Sequence, residues 1–350
     1  MIRSGEGTDF GPAAEPPTRR RAALGLMAGA LLAPSPAPAS AQASPPGSSA
    51  PSPNPSSSPP SAPPSEGQSQ GGSDTLKSGR DSSDRMTVPV MLNGKGPFAF
   101  VVDSGASQSG LSAELASQLQ LPAGQMVRVH GIVAAFLTSS VNVEDFRVGS
   151  IQTSLHNAPT FARADLGADG LIGLDVLHDR VLTLDFLRNR IEVARHSFGG
   201  SAFRTISGAA STEVVVPARQ RFGQLTIIDA QAGRAAMTCF IDTGADRSVG
   251  NNALRIAVEA RMNPRDVINI DVVIRSVTGQ NMPAVVGLVP SMRIGGVGFT
   301  RFGLAFADLH TFDIWGLTDK PALLVGMDLL QLFHSVAIDF GEREVTFTPK

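Results

Sequence analysis

From Arg85 onward the chain consists of short apolar runs broken by Gly, Pro, Asn and charged residues. MTVPVMLN, GPFAFVVD, VNVEDFRVG, TEVVVPARQ, QLTIIDAQ and PAVVGLVPSMRIGG are rich in β-branched residues, the pattern of strands closed by turns. Helical spacing is confined to two stretches. LSAELASQLQL, Leu111 to Leu121, puts Leu115 and Leu119 on one face behind a candidate N-cap at Ser112, and NNALRIAVEA, Asn251 to Ala260, offers the equivalent. The pattern predicts an all-β fold with one short helix in each half.

Two strands break the rule that a buried run ends on a turn residue. FVVDSGAS, Phe100 to Ser107, and CFIDTGAD, Cys239 to Asp246, both run apolar into an aspartate. Each is followed by an apolar-apolar-Gly motif: Gly173 of GLIGLDVL lies 70 residues after Asp103, and Gly326 of LLVGMDLL lies 84 after Asp242. A third landmark closes each copy, VLTLDFLRNRIEV from Val181 and SVAIDFGEREVTF from Ser335, both reading strand, Asp-Phe, turn, strand. Three matches in the same order define a duplicated unit.

Ahead of Arg85 the composition changes. Ser44 to Asp74 is dominated by Pro, Ser, Gly and Ala and lacks the apolar surface that would offset ordering, so 44–84 is expected to be a disordered linker. Further upstream, Thr-Arg-Arg-Arg (Thr18 to Arg21) precedes the apolar Ala22 to Ala33 and then ASAQA, Ala39 to Ala43. That order is the order of an export leader, expected over 1–43, and its paired arginines resemble a twin-arginine signal. Its apolar stretch is short for a bilayer, and no other run approaches ~20 apolar residues. The mature chain is therefore expected in the periplasm or secreted, with no transmembrane span. The folded part divides into one lobe over 85–198, a Gly/Ala/Ser linker over 199–211 and a second lobe over 212–350.

A formal charge of −2 and no basic block in the folded part exclude a nucleic-acid partner. Cys239 is the one cysteine, and beside Phe240 and Ile241 it reads as a small buried hydrophobe. The six histidines are scattered, none three or four residues from another, so neither a metal nor a cofactor is expected.

Apolar-apolar-Asp-Ser/Thr-Gly-Ala with a later apolar-apolar-Gly resembles the retropepsin-like aspartic proteases. Two copies in one chain are similar to the single-chain pseudodimer of pepsins, and the resemblance covers about 85–350. It implies the acid-protease fold, two β-barrel lobes with a cleft between them. Asp103 and Asp242 are then the catalytic pair, one carboxylate activating water while the other, protonated, polarises the scissile carbonyl. Carboxylates that close cannot both ionise, so the pair titrates as a unit; which is base and which acid stays open. The resemblance makes Ser104 and Thr243 an interlock beneath the pair, with Gly105 and Gly244 turning the backbone towards the carboxylates. Leu171, Ile172 and Gly173, with Leu324, Val325 and Gly326, become the strands behind it.

Flap candidates are Val127 to Phe136, tipped by Gly131, Ile132 and Val133, and Val273 to Met282, tipped by Thr278 and Gly279. The chain has no tyrosine, so the flap tyrosine of pepsins is missing and the flaps are expected to be of retroviral type. Asp175 and Asp328 are expected to be structural helix N-caps. The second copy's extra residues, Asp308 to Pro321, carry Phe312, Ile314, Trp315 and Leu317, either a substrate wall or packing against the lobe. Ala106 and Ala245 lack a hydroxyl that could stabilise the charged carboxylates, so the pair should hold its proton to higher pH. The function implied is an exported aspartic endopeptidase acting as a monomeric pseudodimer on extended peptide. An inactive peptide-binding module of the same fold, or lobes that pair between chains, are the alternatives.

Overall fold

The computed structural model describes residues 22–25, 31–32, 73–81, 83, 85–195, 213–221 and 224–350. Most of the expected leader, the linker as far as residue 72 and the inter-lobe linker 199–211 lie outside the described residues; within the leader, Ala22–Gly25 and Leu31–Leu32 are short strands. Among the described residues no helix is long and apolar enough to cross a membrane.

The two halves run through similar elements in the same order. In the first these are β1 (Ser73–Lys77), β2 (Gly79–Arg80), β3 (Met86–Leu92), β4 (Lys95–Val102), β5 (Gly110–Ser112), α1 (Ala113–Gln118), β6 (Val127–His130), β7 (Ala135–Thr138), β8 (Ser140–Val148), β9 (Ile151–Phe161), α2 (Arg163–Leu166), β10 (Gly170–Ile172), α3 (Leu174–Leu177), β11 (Arg180–Asp185) and β12 (Arg190–Arg195). In the second they are β13 (Val214–Arg221), β14 (Gln224–Ala232), β15 (Ala235–Ile241), β16 (Val249–Gly250), α4 (Asn252–Glu259), β17 (Asn269–Arg275), β18 (Asn281–Ile294), β19 (Val297–Phe306), α5 (His310–Ile314), β20 (Ala322–Val325), α6 (Met327–Leu330), β21 (Ser335–Asp339) and β22 (Glu344–Thr348). Both halves close into six-stranded barrels, giving the two-lobed all-β acid-protease fold.

Local sequence explains the helices. Ser112 Oγ accepts the Leu115 N–H at 3.2 Å and Asn251 Oδ1 the Leu254 N–H at 2.9 Å, so α1 and α4 both start on a side chain that satisfies an otherwise orphaned donor. In the first lobe, Phe100 of β4 meets Phe146 of β8 edge to face, 5.8 Å between ring centres, inside a core that includes Val88, Val90, Leu92, Leu111 and Leu115.

The two Asp-Phe hairpins do not stay within their own lobes. β11 pairs antiparallel with β21, Val181 opposite Asp339 and Asp185 opposite Ser335. β12 adds β1 on one side and β22 adds β13 on the other. The result is a six-stranded run, β1-β12-β11-β21-β22-β13, to which both halves contribute alike. It also moves the start of the folded chain. Folding begins at Ser73 rather than Arg85, because β1 is an edge strand held by ladder bonds to β12. Such bonds come from the backbone and need few apolar side chains; half-buried Leu76 packs on the core.

Because this sheet joins the halves, loss of packing in it should weaken both together. Leu182 is fully buried there, opposite Ile338. Leu182→Ala is expected to cost about 2–5 kcal/mol, and chemical denaturation should show one transition moved to lower denaturant. A second transition belonging to an unaffected lobe would contradict the shared core.

Candidate active site

Asp103 follows β4 and Asp242 follows β15, so each strand carries its carboxyl to the seam between the lobes. β4 pairs in parallel with β10, Val102 beside Ile172, and β15 with β20, Ile241 beside Val325. The Asp103 N–H donates to Ile172 O at 2.9 Å and the Asp242 N–H to Val325 O at 3.0 Å. Ile172, Gly173, Val325 and Gly326 therefore lie behind the two aspartates.

Asp175 and Asp328 support this arrangement without capping helices. The residue preceding α3 is Gly173 and that preceding α6 is Gly326, neither with a side-chain cap. Asp175 instead accepts the Ser109 N–H at 2.9 Å and its hydroxyl at 2.7 Å, and Asp328 accepts from Ser248 at 2.9 and 2.6 Å. Ser109 and Ser248 in turn accept the N–H groups of Gly173 and Gly326 at 3.0 and 2.9 Å. Each aspartate thus braces the end of its Asp loop against the glycine strand.

Beneath the pair the lobes interlock. The Ser104 N–H donates to Thr243 Oγ1 at 2.9 Å and the Thr243 N–H to Ser104 Oγ at 3.0 Å. Each hydroxyl passes its proton on to the opposite strand, Ser104 to Ile241 O at 3.0 Å and Thr243 to Val102 O at 2.7 Å. Serine and threonine suit this position because a hydroxyl donates and accepts at once. All four bonds cross the lobe boundary and are buried.

The interlock presses each carboxyl against the opposite loop. A Cβ added to Gly105 would sit 2.5 Å from the Asp242 carboxyl carbon, and one added to Gly244 would sit 2.2 Å from that of Asp103. No other residue type fits without displacing the pair. The Gly105 N–H donates to Asp103 Oδ1 at 2.8 Å, and the N–H groups of Gly244 and Ala245 to Asp242 Oδ1 at 2.9 and 3.1 Å.

Asp103 is 1% exposed and Asp242 4%. Burial raises the Asp103 pKa to about 6, opposed first by the Arg85 charge and then by backbone N–H groups. Burial, followed by the charge of Asp103, pushes Asp242 well above the carboxylate range. The elevation expected from Ala106 and Ala245 is present, but its first cause is desolvation; both alanine N–H groups act in the opposite direction. Burial likewise pushes the Cys239 thiol up, leaving it an inert core residue.

Two hairpins meet across the lobe boundary. β6 and β7 pair around Gly131, Ile132 and Val133, and β17 and β18 around Ser276 to Gln280. Ile132 and Val277 each are 1% exposed. The first hairpin rests on the second lobe: Ile132 joins the cluster of Ile274, Leu309 and Phe312, and its carbonyl accepts the His310 N–H at 2.7 Å. His130 stacks on His310, Nδ1 and Nε2 3.2 Å apart, and burial, then the charges of His310 and Arg128, lower its pKa. The second hairpin rests on the first lobe through an Arg275–Asp165 ion pair, with Gly279 against the same carboxylate. Gly131 lies against Thr278, so the two tips meet. Phe312, Trp315 and Leu317 pack into the second lobe, Trp315 stacked 4.0 Å over Phe240, while Ile314 is exposed.

Arg85, Asp165, His130, His310 and Arg275 were not identified from sequence. The contacts between His130 and His310, and between Arg275 and Asp165, cross lobes at separations of 180 and 110 residues. Arg85 breaks the duplication, since the repeat offset of 139 residues places Gln224 at the corresponding point. Among the described residues no group of acidic, His and Cys side chains could hold a metal.

Thr243→Val removes one acceptor and one donor from the interlock and leaves two buried backbone groups unsatisfied. A loss of about 1–3 kcal/mol is expected, read by urea denaturation; an unchanged midpoint would show that the bonds contribute nothing. A second expectation concerns pH. Both aspartates have folded-state pKa values raised above the ordinary 3.8, so the stability they contribute is complete below that value and is lost as pH rises, for Asp103 through about 6 and for Asp242 through its own raised pKa. Melting temperature should therefore fall more from pH 4 to 7 in the native chain than in Asp103→Asn/Asp242→Asn. Parallel pH curves for the two would overturn this.

Comparison with known proteins accords with the geometry. No curated protein matches the chain. Residues 88–176, spanning β3 to α3 and including Asp103, match the family model described as aspartyl protease. The match covers most of the first lobe, and the two barrels side by side are consistent with a pseudodimeric retropepsin-like fold.

Proposed function

We propose that the chain is an exported aspartic endopeptidase that hydrolyses peptide bonds with water activated between Asp103 and Asp242. The observation that carries this reading is the pair itself: two buried carboxyls, one from each lobe, each against the other lobe's glycine. Two carboxyls in this state share a proton near neutral pH, which supplies a base and an acid together. The ionised member takes a proton from water as the oxygen attacks the carbonyl carbon. The protonated member gives its proton to the carbonyl oxygen, forming a gem-diol. Collapse of the diol breaks the C–N bond as the leaving nitrogen is protonated, and the carboxyls return to their starting state.

Substrate is a peptide in extended conformation, running between the two hairpins and the aspartates and adding backbone bonds as an extra strand would. Both tips are buried in this structure, so access requires the hairpins to lift. One chain supplies both halves of the site, which supports a monomer as the working unit. The arginine-led leader and Pro/Ser linker support a periplasmic or secreted location.

Asp103→Asn and Asp242→Asn are each expected to abolish cleavage of a peptide library while the melting curve stays cooperative. Turnover above about one thousandth of the native rate in either variant would defeat the two-carboxyl mechanism, since such paired groups act as a unit.

A further inference from the structure

Arg85 sits directly before β3 and is 1% exposed, though it is among the largest side chains in the interior. Its guanidinium is held from three sides. Nε donates to Asp81 Oδ2 at 2.7 Å, and Nη2 donates to the same carboxylate and to Leu166 O. Nη1 crosses to the second lobe and donates to Gly244 O at 3.0 Å. Asp81 is fixed in turn, its Oδ1 accepting the N–H groups of Ser83 and Arg85 at 3.0 and 2.8 Å.

Gly244 is also the residue against which the Asp103 carboxyl is packed. The guanidinium and that carboxyl therefore meet the same residue of the opposite loop. Asp81 occupies the Nε–Nη2 edge, leaving Nη1 as the part turned towards the loop. The repeat places uncharged Gln224 where the first lobe has Arg85. Two carboxyls in otherwise matching loops thus differ in whether a cation stands at this repeat position.

We propose that Arg85 is the positioning residue that decides which aspartate keeps the shared proton, holding Asp103 ionised as the base and leaving Asp242 protonated as the acid. This assignment rests on the endopeptidase reading for its catalytic meaning, though the order of ionisation can be measured without turnover. The charges acting on the pair agree with it. Besides Asp242, the side chain that influences Asp103 is Arg85, which favours the carboxylate, whereas the charge felt by Asp242 is that of Asp103, which disfavours it. Asp81 reduces the net charge of the cation without cancelling it, since it lies on the edge away from Gly244.

A structural rivet would fill the same space, so the test must separate charge from packing. Removing Arg85 alone strands the buried Asp81 carboxylate and risks unfolding. Asp81→Asn/Arg85→Met removes both charges, and Asn can still accept the turn N–H groups through Oδ1. Arg85→Lys keeps the charge and loses the fork. Aspartate carboxyl carbons of the full chain, labelled with ¹³C, are titrated by NMR, with Asp103→Asn and Asp242→Asn identifying the two resonances. In the native chain Asp103 should titrate below Asp242. In Asp81→Asn/Arg85→Met its midpoint should rise by about one pH unit or more, and in Arg85→Lys it should stay near the native value. The acid limb of kcat/KM should move upward in the same order.

Asp242 titrating first in the native chain would overturn the proposal. So would an Asp103 midpoint that is unmoved in the double variant, or moved equally by Arg85→Lys, which would mark Arg85 as packing alone. A chain that shows the expected titration yet cleaves no peptide would defeat the endopeptidase reading and leave the order of ionisation standing.

Discussion

Two carboxyl groups held almost in contact, away from water, are the constraint on which the molecule depends. Left free they would separate or draw in solvent, because burial and mutual repulsion both act against charge. The fold prevents both escapes. The Ser104–Thr243 interlock fixes the loops from below, Gly105 and Gly244 remove the side chains that would keep the carboxyls apart, and the strands ending at Ile172 and Val325 close the space behind. One shared proton is the cheapest remaining way to lower the charge.

Holding such a pair needs two lobes that cannot drift, and rigidity is supplied at two levels. At the base, β11 and β21 place strands of both halves in one ladder, so relative rotation of the lobes would break backbone bonds. At the top the connections are lighter: a histidine stack and one carbonyl bond on one side, an ion pair with a half-exposed arginine on the other. Exposed ion pairs contribute little to stability. Among the described residues, lifting the hairpins breaks no strand pairing between the lobes, although it uncovers the buried Ile132 and Val277, while the base stays closed.

Much of this was legible in the sequence because it is written twice. Asp-Ser-Gly and Asp-Thr-Gly, the glycine motifs and the Asp-Phe hairpins recur in order, and repetition gave short patterns their weight. Strand alternation and the N-caps at Ser112 and Asn251 rest on neighbouring residues, where sequence reasoning is strong. What stayed hidden occurs once or at a distance. β1 is polar and lies beside a Pro/Ser tract, so composition masked it. Asp175 and Asp328 were read as helix caps from local position, whereas their partners Ser109 and Ser248 lie 66 and 80 residues away. Arg85 stands where the second copy has glutamine, and its acceptors Asp81, Leu166 and Gly244 come from different parts of the chain.

The seat of the first hairpin has a consequence for direction. Ile132 settles against α5 and Leu309, part of a segment that the second half has and the first half lacks at comparable length. Two identical subunits would present the same wall at both ends of a cleft, and a bound chain could enter either way round with equal ease. Joined copies are free to diverge, and here the packing behind the two sides differs: Phe240, Phe312 and Trp315 lie in one buried cluster, and Phe161 and Leu171, with Phe136 packed on them, in another. A peptide has a direction of its own, amino end to carboxyl end. A cleft with unlike ends can tell the two orientations apart.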